Sequence, residues 1–196
     1  MTTILILYYS RTGSTKRMAE KIAQGITQAG GETLLRTVPE VSANCEQTQP
    51  SIPDEGAPYI TKEDLKQCDG VIIGSPTRFG NIAAPLKYFI DGLTDLWLEG
   101  TLINKPAGVF TSTGSMHGGQ ESTLLSMMIP LFHHGAVLAG VPYSEAALQQ
   151  TNTGGTPYGP SHYNGIHADQ ALSEDEIAIC HAFGARLVSL AKQLKT

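Results

Sequence analysis

The sequence predicts an α/β fold, a doubly wound parallel sheet of five strands with helices on both faces, and three observations point to it. Strand-like apolar runs alternate with helix-like segments along the chain, the pattern of a parallel sheet covered on both sides. The first run, Thr3-Ile4-Leu5-Ile6-Leu7, passes through a short polar loop into a helical repeat at Met18, Ile22, Ile26 and Ala29. Loops rich in Gly, Ser and Thr follow the first, third and fourth strands, where an open α/β sheet collects its ligands.

The second strand is read at Thr33–Val38, the third at Gly70–Gly74 after Asp69, the fourth at Pro106–Thr111 and the fifth at Ala136–Ala139. A helix is expected over Ala84–Thr94, where Pro85 suits the first turn. Another runs from Gln120 to about Phe132, with Gly135 as its stop. The last helix is opened by a capping box, Ser173 with Glu176. Its apolar face repeats at Ile177, Cys180, Gly184, Leu187, Val188, Ala191 and Leu194 before a Lys-rich end. Two stretches break the alternation: 39–57 is polar and Pro-rich, and 142–170 is rich in Gly, Thr, Asn and His. Loops this long are either functional or surface excursions. The turn residues and aromatic of Gly154–Gly159 favour defined structure in the second.

A chain of 196 residues suits one domain, 1–196, with insertions at those two stretches; it can bury about 70% of its unfolded surface. Cys45, Cys68 and Cys180 form no C-x-x-C pair, so disulfide framework, structural zinc and redox dithiol readings fall away and no metal is expected. The first apolar run is too short for a signal segment, and no eighteen apolar residues are consecutive. A soluble, cytoplasmic protein without an integral membrane segment is expected. A net charge of −5, with 13 scattered Lys and Arg, argues against a nucleic-acid partner.

The chemistry gathers in the loops. Tyr8 to Thr15 joins the first strand to a helix start, where backbone N–H groups lack partners and the dipole is positive. Ser10, Thr12, Ser14 and Thr15 add hydroxyl donors around Arg11 and Gly13. A nucleoside triphosphatase loop would need Gly where Tyr8 stands and Lys where Ser14 stands. A dinucleotide turn needs three glycines, and only Gly13 is present. A single phosphate monoester fits better, although the same hydroxyls also serve as helix caps. After the third strand comes Ser75-Pro76-Thr77-Arg78-Phe79-Gly80-Asn81. After the fourth comes Ser112-Thr113-Gly114-Ser115-Met116-His117-Gly118-Gly119-Gln120. Their small residues let backbone amides approach a planar ring.

The first loop resembles the one that grips the ribityl phosphate of FMN in flavodoxin-like proteins. Over nearly its whole length the chain resembles one group within them, the WrbA-type NAD(P)H:quinone oxidoreductases (tryptophan-repressor-binding proteins). The resemblance rests on L-Y-Y-S-R-T-G, P-T-R-F-G-N, S-T-G-S-M-H-G-G-Q-E, H-H-G and G-G-T-P-Y-G between Leu7 and Gly159. It implies that Ser10, Arg11, Thr12, Gly13, Ser14 and Thr15 hold the FMN phosphate. Thr77, Arg78, Phe79, Gly80 and Asn81 would meet the isoalloxazine, and Ser112, Thr113, Gly114, Ser115, Met116, His117 and Gly118 would wrap its pyrimidine side. His133 would reach the flavin edge, Trp97 would lie over the ring against the quinone, and NADH or NADPH would share the position of Thr12. A lone Trp and a His pair at a helix end also have ordinary packing and dipole roles. The family often carries His-Ile where this chain has Ser14-Thr15, and Gly where it has Met116-His117. By resemblance the protein is a homotetramer, or a dimer, whose sites are completed by neighbouring subunits. It would protect against oxidative stress by a ping-pong, two-electron reduction of quinones, with the chemistry carried by FMN and no catalytic side chain. The alternative is a flavodoxin-type one-electron transfer protein.

Overall fold

The computed structural model describes residues 1–42 and 53–195. In chain order the elements are β1 (Thr2–Tyr8), α1 (Ser14–Gln28), β2 (Gly31–Thr37), α2 (Lys62–Gln67), β3 (Gly70–Pro76), α3 (Ala84–Asp91), α4 (Thr94–Leu98), β4 (Pro106–Thr113), α5 (Gln120–His133), β5 (Val137–Leu138), α6 (Ala146–Gln150), β6 (Ser161–Tyr163) and α7 (Glu174–Leu194). The sheet runs β2-β1-β3-β4-β5, every pair parallel. Alternation along β1 divides the core. Ile4, Ile6 and Tyr8 face α1 and α7, with Met18, Ile22, Phe183 and Leu187. Leu5 and Leu7 face the other side, with Leu86 of α3, Leu96 of α4 and Leu124, Met127 and Leu131 of α5.

Among the described residues six strands form where five were expected. Val137 and Leu138 pair with the start of β4, whereas Ser161–Tyr163 pair with its end, opposite Thr111–Thr113. The fifth position is therefore filled by two short strands end to end. The chain leaves after Leu138 because Pro157 closes on Gly140, whose missing Cβ would lie 2.0 Å from the Pro157 carbonyl oxygen. Two more differences are local. The helix expected over Ala84–Thr94 breaks at Gly92 into α3 and α4, and α2 forms on a capping box between Thr61 and Asp64. Cys68 and Cys180 are free and buried; burial raises the Cys68 thiol to about 11. Cys45 and the middle of the 39–57 stretch lie outside the described residues. Among the described residues no helix is long and apolar enough to cross a membrane.

Helices α1 and α7 cross in close contact at two glycines. A Cβ at Gly25 would lie 2.2 Å from the His181 carbonyl oxygen, and one at Gly184 would lie 2.4 Å from that of Ile22. The N-terminus of α7 carries a second constraint. Glu176, 1% exposed, accepts from the amides of Ser173 (2.8 Å), Gly154 (2.8 Å) and Tyr163 (3.3 Å), and its Oε2 lies 2.9 Å from His162 Nδ1. The capping carboxylate read from the sequence thus also fastens β6 and the Gly154 turn to α7. Burial alone would raise this carboxyl, but the His162 and amide hydrogen bonds hold it below its ordinary value.

Gly184→Ala should lower stability in urea by about 2 kcal/mol through overpacking, against the roughly 1 kcal/mol that Ala gains over Gly inside a helix. Glu176→Gln should cost about 3 kcal/mol by breaking a buried pair. Because the folded carboxyl titrates below the unfolded one, its contribution is present above about pH 4.3 and fades as pH falls through the lower folded value. Urea midpoints between pH 6 and pH 3 should fall less steeply for Glu176→Gln than for the wild type.

Candidate functional site

The carboxyl ends of β1, β3 and β4 open onto one edge of the sheet. Leaving β1, the chain turns at Gly13 (φ 89°), which begins α1 with no side-chain cap, so the first amides of the helix stay open. Ser14 and Thr15 are buried beneath this turn. The Thr15 and Ser112 hydroxyls lie 2.9 Å apart, joining the first loop to the end of β4. Ser10 Oγ is buried and has no partner. Arg17 Nη2, one helical turn on, donates to Ser14 Oγ at 3.1 Å.

Beyond β3, Thr77 is held on all sides. Its amide donates to the Ser112 carbonyl (2.9 Å), and its hydroxyl accepts from the Gly80 amide (3.1 Å) and from Thr123 Oγ1 (2.9 Å). Arg78 and Asn81 exchange both backbone hydrogen bonds around Phe79 (φ 53°) and Gly80 (φ 77°), a two-residue turn with both central residues left-handed. For Phe79 that conformation costs about 1 kcal/mol, and it leaves the ring wholly exposed at the lip of the cleft. At the end of β4 Ser112 and Thr113 are buried, and beyond it Gly114, Ser115, Met116 and His117 form the exposed part of the loop. That loop is closed by Gly118 N donating to Ser115 O (3.1 Å) and by Gln120 Nε2 donating to Met116 O (3.0 Å). Gly119 (φ 95°) opens α5, again with no side-chain cap.

These loops wall a cleft of about 370 Å³, lined by Ser10, Arg11, Thr12 and Thr15, by Pro76, Thr77 and Arg78, and by Ser112, Thr113 and Gly114. A wider cleft of about 740 Å³ adjoins it across Arg11 and Arg78 and reaches Asn81. The narrow cleft has a fourth wall that the sequence reading missed: Asn164, Gly165, Ile166 and Ala168, beyond β6. Asn164 Nδ2 donates to Ser14 Oγ at 2.9 Å across 150 residues of chain. The only local signal was an Asn-Gly dipeptide, which marks a turn and not a ligand. The residues at the start of α1 fit a phosphate monoester: open amides, an unpaired buried hydroxyl and an adjacent guanidinium.

Two expected contacts are not brought to this cleft within one chain. His133 ends the 14-residue α5 that Gln120 begins, which at 1.5 Å per residue puts it about 20 Å from the loop before the helix. Trp97 is tied to it, its Nε1 donating to the His133 carbonyl at 2.8 Å. The reason is direction: α5 must return the chain to the amino edge of the sheet, where Val137 pairs with Pro106. Leu125, Ile129 and Phe132, spaced along one face of α5, are exposed, as is Leu98 next to Trp97 in the chain.

The model of the NADPH-dependent FMN reductase family matches residues 2–150. The chain is 38% identical to proteins named NAD(P)H dehydrogenase (quinone) from Geotalea daltonii, covering 97% of each chain, and from Geobacter sulfurreducens, covering 97% of this chain and 98% of that one. In structure it is similar to a flavodoxin, WrbA-like protein from Agrobacterium tumefaciens, with TM-score 0.71 at 23% identity over all of both chains. It is also similar to oxidised Flavodoxin 2 from Bacillus cereus, with TM-score 0.62 at 20% identity over 96% of this chain and 98% of that one. The chain belongs to the NADPH-dependent FMN reductase family, alongside relatives named NAD(P)H dehydrogenase (quinone).

Proposed function

We propose that the protein is an FMN-dependent NAD(P)H:quinone oxidoreductase, working as one FMN-binding domain over residues 1–196. The observation that carries this reading is the unpaired Ser10 hydroxyl beside the uncapped start of α1, at a cleft walled by the loops after β3 and β4. FMN held there would supply the redox chemistry, a two-electron exchange in which NADH or NADPH with one solvent proton reduces a quinone to its hydroquinone. Ser10 to Thr15 hold its phosphate through main-chain N–H groups and hydroxyls. Thr77 to Asn81 and Ser112 to Gly118 orient the ring, the rigid Thr77 fixing one loop to the other. Phe79, turned outward by its left-handed backbone and fully exposed, would be available to pack on the edge of the ring. No side chain is assigned a covalent or proton-transfer step.

Thr12, at the open mouth, meets the donor and the quinone in turn on one face. Trp97 and His133 reach the site of a neighbouring subunit in a homotetramer. Their distance from their own cleft and the exposed stripe beside them favour this arrangement, since contiguous apolar surface of this kind marks an interface. We place the enzyme in the cytoplasm, where delivering electrons in pairs limits oxidative stress from quinones.

Initial-rate plots with NADH and benzoquinone should be parallel; intersecting lines would sink the shared-face order. At micromolar concentration the protein should elute as a tetramer. Trp97→Ala should raise the quinone KM about tenfold, the loss of one buried aromatic contact, and leave FMN affinity unchanged. A monomer with full turnover would refute the contribution from a neighbour.

A further inference from the structure

The contact between Asn164 and Ser14 does more than close the fourth wall. Ser14 Oγ receives two donors, Arg17 Nη2 and Asn164 Nδ2. A hydroxyl has two lone pairs and one hydrogen. With both lone pairs engaged, the hydrogen is left to donate, and no protein group accepts it among the described residues. Asn164 is itself 8% exposed, lines the cleft, and has an Oδ1 without a partner. Its position is imposed from several directions. The Asn164 amide donates to the Thr113 carbonyl at 2.9 Å, and its carbonyl accepts from Gln170 N at 3.1 Å. Two residues earlier, His162 is bound to Glu176. Arg17 Nε is buried and unpaired beside the same hydroxyl.

Resting on the FMN reading above, we propose that Asn164 is a positioning residue for the flavin phosphate. Together with Arg17 it fixes Ser14 as an obligatory donor to the phosphate, while its own Oδ1 accepts a hydroxyl of the sugar chain. A hydroxyl held this way makes a charge-assisted bond without a search through rotamers, which favours the phosphorylated flavin over riboflavin. The wall beyond β6 thereby selects the ligand as well as covering it.

The test is flavin binding by the full chain stripped of cofactor, with FMN and riboflavin titrated separately by calorimetry. Asn164→Ala should weaken FMN about tenfold, and riboflavin less. Asn164→Asp keeps Oδ1 but puts a second oxygen, now charged, in place of the donor. It should weaken FMN about a hundredfold and leave riboflavin within about twofold. In a Ser14→Ala background, Asn164→Ala should cost FMN no more than it costs riboflavin, because the phosphate-specific part of the effect passes through that hydroxyl. An FMN-to-riboflavin ratio unchanged in both Asn164 variants, while the wild type prefers FMN, would overturn this inference and leave the flavin reading intact; so would additive losses in the double variant. A wild-type chain that takes up neither flavin would overturn both.

Discussion

A parallel sheet sends the chain back across its own face before each new strand can begin, so the carboxyl ends of β1, β3 and β4 share an edge with the amino ends of α1 and α5. Both helices start at a left-handed glycine, Gly13 and Gly119, and neither has a side-chain cap. The unpaired amides and positive dipole end of α1 meet the cleft, whereas the start of α5 abuts the β3 loop at Gly80. What the loops contribute is spacing. Thr77, bonded to Gly80 and Thr123 and to the carbonyl of Ser112, keeps the second and third loops at a fixed separation.

Much of this was legible in the sequence, for a physical reason. Strands covered on both faces must be apolar throughout, which makes β1, β3 and β4 readable as runs. A helix packed on one face repeats its apolar residues, as α1 and α7 do. Where burial is achieved by hydrogen bonds, the pattern vanishes. Ser161-His162-Tyr163 has no apolar run because Gln120 and Glu176 satisfy its side chains from elements 14 or more residues away. Asn164 was invisible for the same reason: its partner, Ser14, stands 150 residues away. The break between α3 and α4 turns on Gly92, which helical periodicity tolerates and the fold uses as a stop.

Trp97 and His133 teach a different lesson. A family resemblance names residues for a site but does not say where the fold of one chain puts them. Within one chain the direction of α5 puts both at the amino edge of the sheet, and the apolar stripe of Leu125, Ile129 and Phe132 travels with them.

The split fifth position of the sheet has a consequence for biosynthesis. A nascent chain that has emerged as far as Gln150 contains every strand of the sheet except β6, and with it three walls of the cleft. Asn164 and the carboxylate that fastens its strand come later still, with α7. Domains acquire structure from the N-terminus during synthesis, so this pocket is finished only once α7 has followed β6 out of the ribosome, and a group held by the fourth wall would be secured no earlier than that.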